Sequence, residues 1–356
     1  MDQYDESAPP HGPDGDRLLE AIGGEAGCYR LSAGFYSRVG KDPVLRPLFP
    51  GKSLRCATEE FAAFLIQFLG GDEEQTQKRW WLSLRESHAR FRISQAERSA
   101  WLKHMSAALG AAGLDQAVCA SLRRFFESSS SYIAGNPEPV GAAGPDHPEL
   151  AGRWRQQLTL DDTVGAIVVG RDRDAISLAR TFISRPSVFV GLLARMVQSG
   201  RRELVLFATG TVDREPQLGS RRFAGRTLLH FASGSGCVSM VESLLRLGAD
   251  PNVADAMGHA PLYRAANECA SETDGPAVVR MLVGAGANVV ANGGVTRATA
   301  LHMAARRGHA GIAQALLDCG AAAGARDAKG DTPLQRAINC RRHDVAQLLR
   351  ERAGQG

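Results

Sequence analysis

The chain has 356 residues, beyond the roughly 100–200 of an ordinary domain, so two domains, or one domain with an array, are expected. Hydrophobic residues at 44% and charged residues at 22% exclude a wholly disordered protein, and 42 Lys and Arg against 38 Asp and Glu leave only +4, too little to expect nucleic acid as a partner. No run of about 18 uncharged apolar residues occurs, so no membrane span is expected, and seven scattered cysteines without a C-x-x-C pair support neither a disulfide framework nor a zinc knuckle.

Residues 1–16 are acidic and proline-containing with no apolar run, which reads as a solvated arm rather than a signal peptide and leads to a cytoplasmic expectation. Residues 17–135 carry helical periodicity in Leu18, Leu19 and Ile22, in Phe61, Phe64, Leu65 and Phe68, and in Leu102, Met105 and Leu109. Residues 136–157 are rich in proline and glycine and are expected to form a linker. Residues 158–220 have helical spacing without a repeated phrase and read as a degenerate cap of a repeat array. Gly165 and Gly170 lie five apart, but no Lys-Ser/Thr comes after them, so they form no phosphate loop.

Residues 221–356 repeat one phrase four times: Gly225-Arg-Thr-Leu-Leu-His-Phe-Ala232, Gly258-His-Ala-Pro-Leu-Tyr-Arg-Ala265, Arg297-Ala-Thr-Ala-Leu-His-Met-Ala304 and Gly330-Asp-Thr-Pro-Leu-Gln-Arg-Ala337. From Thr227 through Ala260 and Thr299 to Thr332 the steps are 33, 39 and 33 residues, and the long step is assigned to an insertion near Asn267 to Pro276. The phrase resembles the ankyrin repeat. The resemblance implies a helical solenoid that binds an unidentified protein, with hairpin tips near Met257, Arg297 and Lys329. Sixteen basic against eleven acidic residues in this region favour an acidic partner surface. His230 and His302 belong to the phrase and are expected to satisfy backbone groups, not a metal.

In the first half, the stretch from Leu84-Arg-Glu-Ser-His88 to Trp101-Leu-Lys-His-Met105 resembles group II truncated haemoglobins. Supporting matches are Ile22-Gly23-Gly24, Phe35-Tyr36, the segment Asp42 to Pro50, and Gly70-Gly71. The expected fold is therefore all-α, a truncated (2-over-2) globin joined to an ankyrin solenoid. The resemblance implies haem b, with His88 ligating the iron and its other ring nitrogen donating to a backbone carbonyl or water. Tyr36 and Trp101 take the positions of the distal donors, which stabilise partial negative charge on a bound gas. Ala57 stands where many globins carry a distal histidine, Phe61 where Leu or Gln is common, and Phe49 where Tyr is common. Phe64, Phe91, Ile93 and Met105 are expected walls of the slot, and Arg85 a propionate partner, whereas Glu60 and Ser87 stand where the family has basic residues. Read without the resemblance, His88 is a loop or cap residue, and Tyr36 and Trp101 are ordinary core aromatics.

Three functions are compatible with these residues. The first is reversible binding of O2, NO or CO, with the array tethering or sensing. The second is oxidation of nitric oxide or turnover of peroxide using an external reductase, since no G-x-G-x-x-G fingerprint is present. The third is a scaffold with a vestigial, haem-free globin fold. No catalytic residue is assigned.

Overall fold

The computed structural model describes residues 15–51, 53–71, 82–135 and 147–353. Nearly all of the arm expected at 1–16, and 136–146 of the expected linker, lie outside the described residues. The chain divides into two units, residues 1–165 and 166–356, and helices dominate both.

In the first unit, α1 (Gly15–Ala21) turns directly into α2 (Gly24–Val39). Gly27 permits this turn, because a Cβ there would lie 1.8 Å from the Ile22 carbonyl oxygen. Leu31, Phe35 and Val39 recur at four-residue spacing on the buried face of α2. A 3-10 turn, Arg46–Leu48, precedes α3 (Arg55–Phe68), which packs on α2. The short α4 (Leu84–His88) starts at Ser83, whose hydroxyl accepts from the Glu86 N–H at 3.1 Å. A Ser94–Glu97 capping box opens α5 (Gln95–Ala111), and Asp115 caps α6 (Gln116–Ile133). The core joins Leu65, Phe68, Leu109, Leu122, Phe125 and Phe126 from these helices.

The longest helix corrects the expected linker. Residues 148–157 begin α7 (Pro148–Val169), in which Leu150 and Trp154 are 0% and 4% exposed and belong to the first unit's core. Trp154 meets Phe125 and Tyr132 edge-on, with centroids 5.7 and 5.5 Å apart. Proline does not break this helix, because at the first helical position its missing N–H has no intrahelical partner to lose. Residues 158–165, expected in the array's cap, also fall in the first unit.

In the second unit, α8 (Asp172–Ala179) leads to the pair α9 (Pro186–Gln198) and α10 (Arg202–Arg214). The four repeats come next as α11 (Leu228–Ser235) and α12 (Val238–Arg246), α13 (Pro261–Glu268) and α14 (Asp274–Gly284), α15 (Ala300–Arg307) and α16 (Ala310–Asp318), and α17 (Pro333–Asn339) and α18 (His343–Ala353). First helices stack on first helices and second on second, with α9 on α11 and α10 on α12 continuing both rows. Two-residue strands form antiparallel hairpins: β1 (Arg222–Phe223) pairs with β2 (Arg226–Thr227), and β3 (Asn292–Gly293) with β4 (Ala298–Thr299). The insertion expected near 267–276 falls there almost entirely: the second helix starts 11 residues after Thr227 and Thr299 but 14 after Ala260 and is two residues longer than its counterparts, and one further residue lies between α14 and Thr299.

The repeated Thr and His form a reciprocal cap. Thr227 N–H donates to His230 Nδ1 at 3.2 Å, and His230 Nε2 donates to the His259 carbonyl of the next repeat at 3.1 Å. His302 repeats this with Thr299 and the Asp331 carbonyl, at 3.2 and 3.0 Å. Two turns are held by buried carboxylates: Asp255 accepts from Met257 N and His259 N and pairs with Arg264, and Asp327 accepts from Lys329 N and Asp331 N and pairs with Arg336.

Because its Nδ1 faces an N–H, His230 must be neutral, and burial lowers its pKa to about 4. Below pH ~6.5 the unfolded chain takes up a proton that the folded ring refuses until about pH 4, so stability falls across that window by roughly 3 kcal/mol. Urea midpoints of the array against pH should show this decline, and His230→Gln, which reproduces the Gln335 cap of the fourth repeat, should flatten it. Separately, Trp154→Ala in the full chain should destabilise the first unit by about 3–5 kcal/mol in denaturant titration, where a linker residue would have no effect.

Candidate functional site

Helices α2, α3, α4, α5 and α6 of the first unit line a solvent-open cavity of about 650 Å³. Nine of the residues singled out from the sequence line it: Tyr36 from α2, Ala57, Phe61 and Phe64 from α3, Trp101 from α5, His88 from α4, and Phe49, Phe91 and Ile93 from the connecting segments. Ala57, Phe61 and Phe64 fall at i, i+4 and i+7, one face of a helix, which is why a single stretch of sequence supplies one wall. The aromatic rings interlock: Tyr36 meets Phe49 edge-on at 5.6 Å, Phe49 meets Phe91 at 5.8 Å, and Phe61 stacks near Phe64 at 6.2 Å. Phe35, behind Tyr36, holds Trp101 at 5.2 Å.

His88 is the cavity's one imidazole among the described residues. Its Nδ1 lies 2.8 Å from the Leu84 carbonyl oxygen and 2.9 Å from Ser87 Oγ, which itself donates to that carbonyl at 2.8 Å. A carbonyl only accepts, so Nδ1 carries the proton and the lone pair is left on Nε2. Burial lowers the His88 pKa, favouring the neutral ring, while the Leu84 hydrogen bond works the other way. A neutral imidazole with a free lone pair in an apolar pocket is chemically a metal ligand. The described residues contain no cluster of three or more His, Cys, Asp or Glu able to hold a bare ion, so a ligated metal would need to bring its remaining coordination with it.

Two expected site residues are elsewhere. Arg85 does not line the cavity: its guanidinium sits 4.1 Å from the centre of the Tyr132 ring, held by that electron-rich face. Met105, 1% exposed, is core and not a wall, because α5 presents Trp101 to the cavity and turns Met105 inward with Leu109. In place of Arg85, the cavity's cationic residues among the described ones are Arg90 and Arg98. His104 is half-buried, with Nε2 2.7 Å from Asp42 Oδ2. That contact is the largest cause of the lowered Asp42 pKa.

Sequence reasoning also missed the support beneath α4. The Asp161 carboxylate of α7 accepts from Leu84 N at 2.9 Å and Arg85 N at 3.3 Å. Gln157, one turn earlier, donates to Asp161 Oδ1 at 2.8 Å and to the Leu82 carbonyl at 3.0 Å. Both side chains are buried, and burial raises the Asp161 pKa against the effect of these donors. A signal was present: Leu150, Trp154, Gln157 and Asp161 keep helical spacing, so two polar residues continue an apolar face.

In the array, Met257, Arg297 and Lys329 are all exposed in turns, Met257 at 64%, and Arg297 has a φ of 50°. Val295, beside Arg297, is 95% exposed.

Three family models match the chain: bacterial-like globin over residues 17–130, a single ankyrin repeat over 224–256, and ankyrin repeats in three copies over 267–355. The chain is 32% identical over 119 residues to the group 2 truncated hemoglobin YjbI of Bacillus subtilis (strain 168), covering 33% of this chain and 89% of that protein. It is 34% identical over 149 residues to the B-cell lymphoma 3 protein homolog of Mus musculus, covering 42% of this chain but only 31% of the mouse protein's length. No helix among the described residues is long and apolar enough to cross a membrane.

Burial and the nearby Glu60 raise the Tyr36 pKa. The ultraviolet difference between wild type and Tyr36→Phe should therefore show no tyrosinate up to about pH 11, a range in which an exposed phenol of pKa ~10 ionises.

Proposed function

The chain belongs to the group 2 truncated haemoglobins through its N-terminal domain and carries an ankyrin-repeat array beyond it, and on that premise we propose that it binds haem b and reversibly takes up a diatomic gas while the array engages a protein. The observation that carries this reading is the tautomer of His88: the Leu84 carbonyl fixes the proton on Nδ1 and leaves the Nε2 lone pair in an apolar cavity. The cavity's volume of about 650 Å³ falls within the range of cofactor sites.

When bound, haem supplies an iron able to take O2, NO or CO as a further ligand. His88 is the protein's ligand to it. Tyr36 O–H and Trp101 N–H supply donors to the gas, and burial keeps the Tyr36 phenol protonated and so able to donate. Ala57 adds no imidazole to compete for the iron. Phe49, Phe61, Phe64, Phe91 and Ile93 exclude water, which strengthens each polar contact inside. Arg90 and Arg98, which line the cavity where Arg85 does not, would pair with the propionates. The array's exposed Met257, Arg297 and Lys329 and its basic excess suit a protein with an acidic surface.

Protein loaded with haem should show a globin Soret band that shifts on reduction with dithionite and again on adding CO. His88→Ala should lose or strongly alter that band. A wild-type chain that takes up no haem would leave the scaffold reading in its place.

A further inference from the structure

The carboxylate beneath α4 meets the same peptide group that orients His88. The Leu84–Arg85 peptide offers its N–H to Asp161 Oδ2 at 3.3 Å and its C=O to His88 Nδ1 at 2.8 Å. The preceding peptide is held as well, since Leu84 N–H donates to Asp161 Oδ1 at 2.9 Å. Every group facing the carboxylate in these bonds is a donor: two backbone N–H groups and the Gln157 amide. An acceptor-only anion is the form that satisfies all three.

We propose that Asp161 is the positioning residue of His88, acting on the imidazole through the Leu84–Arg85 peptide. It rests on the reading of His88 as the haem ligand. Hydrogen bonds in a chain polarise one another. An anion on the peptide N–H makes the carbonyl oxygen a stronger acceptor, which draws the Nδ1 proton and raises the basicity of Nε2. Metal-bound histidines commonly lean on a carboxylate or a carbonyl directly; here the two are placed in series, with one peptide between charge and ring. Asp161 lies outside residues 17–130, where the globin family model matches, so the helix beyond the matched region supplies the charge. The same carboxylate fixes the ring's height and tilt by anchoring the start of a helix only five residues long. Gln157 secures the chain on the other side of Ser83 through the Leu82 carbonyl.

The test is Asp161→Asn, which keeps shape and one acceptor oxygen but removes the charge. In the haem-loaded ferrous protein, the iron–histidine stretching band in resonance Raman should move to lower frequency, and the midpoint potential should become more positive as the ligand loses basicity. Trp154→Ala, which loosens the same helix but keeps the carboxylate, should leave the band in place. A band unmoved by Asn, or moved equally by Trp154→Ala, overturns the proposal. In haem-free protein, nitrogen NMR of His88 reads the relay independently: the Nδ1–H tautomer should lose population in the Asn variant, and an unchanged population counts against the relay. This separates it from the haem reading, which fails on its own if wild type takes up no haem. Should the Asn variant not fold, a through-hydrogen-bond coupling between the Arg85 amide nitrogen and the Asp161 carboxyl carbon in wild type supports the proposal, and its absence overturns it.

Discussion

A neutral imidazole has one donor and one acceptor, and the backbone group it meets decides which nitrogen is which. This chain uses that constraint in two opposite senses. At His88 a carbonyl takes the Nδ1 proton and leaves Nε2 as the open lone pair. At His230 and His302 a backbone N–H occupies Nδ1, so the proton sits on Nε2 and is spent on a carbonyl of the next repeat. The first arrangement produces a ligand and the second a structural bridge. Burial disfavours the charged ring in both, which preserves the assignments near neutral pH.

Around His88, the aromatic walls and the polar support do different work. Tyr36, Phe49, Phe61, Phe64 and Phe91 contribute area and exclude water, and their mutual edge-on and stacked contacts limit how each can rotate. The polar support lies behind the cavity, where Ser83, Gln157 and Asp161 satisfy the backbone of residues 82–86. A buried carboxylate is tolerated there because its acceptor sites are filled by N–H donors.

Local features were the legible ones. The Thr-x-x-His phrase contains both halves of its own cap, so its structural use can be read from spacing alone. Phe61 and Phe64 were legible because helical periodicity places them with Ala57. Side-chain direction at Arg85 and Met105 was not, since it is decided by Tyr132 and by the packing of α5, neither of which the flanking residues encode. The prolines near residue 148 suggested a linker, yet a proline at a helix start is neutral, and the deciding residues were the apolar Leu150 and Trp154. Asp161 is 77 positions from the amide it caps, and only its place on an otherwise apolar face marked it.

Of the six additional residues of the second repeat, three lengthen its inter-helix turn, two extend its second helix and one lies in the hairpin leading into the third. Both helices of that repeat keep their places in the stacked rows. The array therefore separates two kinds of sequence information. Residues on stacked faces specify geometry and are bound to one another, whereas loop length is a free parameter at both edges. The loop at 294–297, with Val295 almost fully in solvent, can change in length and chemistry without disturbing the buried surface. Recognition can thus diversify there at little cost to folding, and the second repeat has used the same freedom mainly at the opposite edge, in its inter-helix turn.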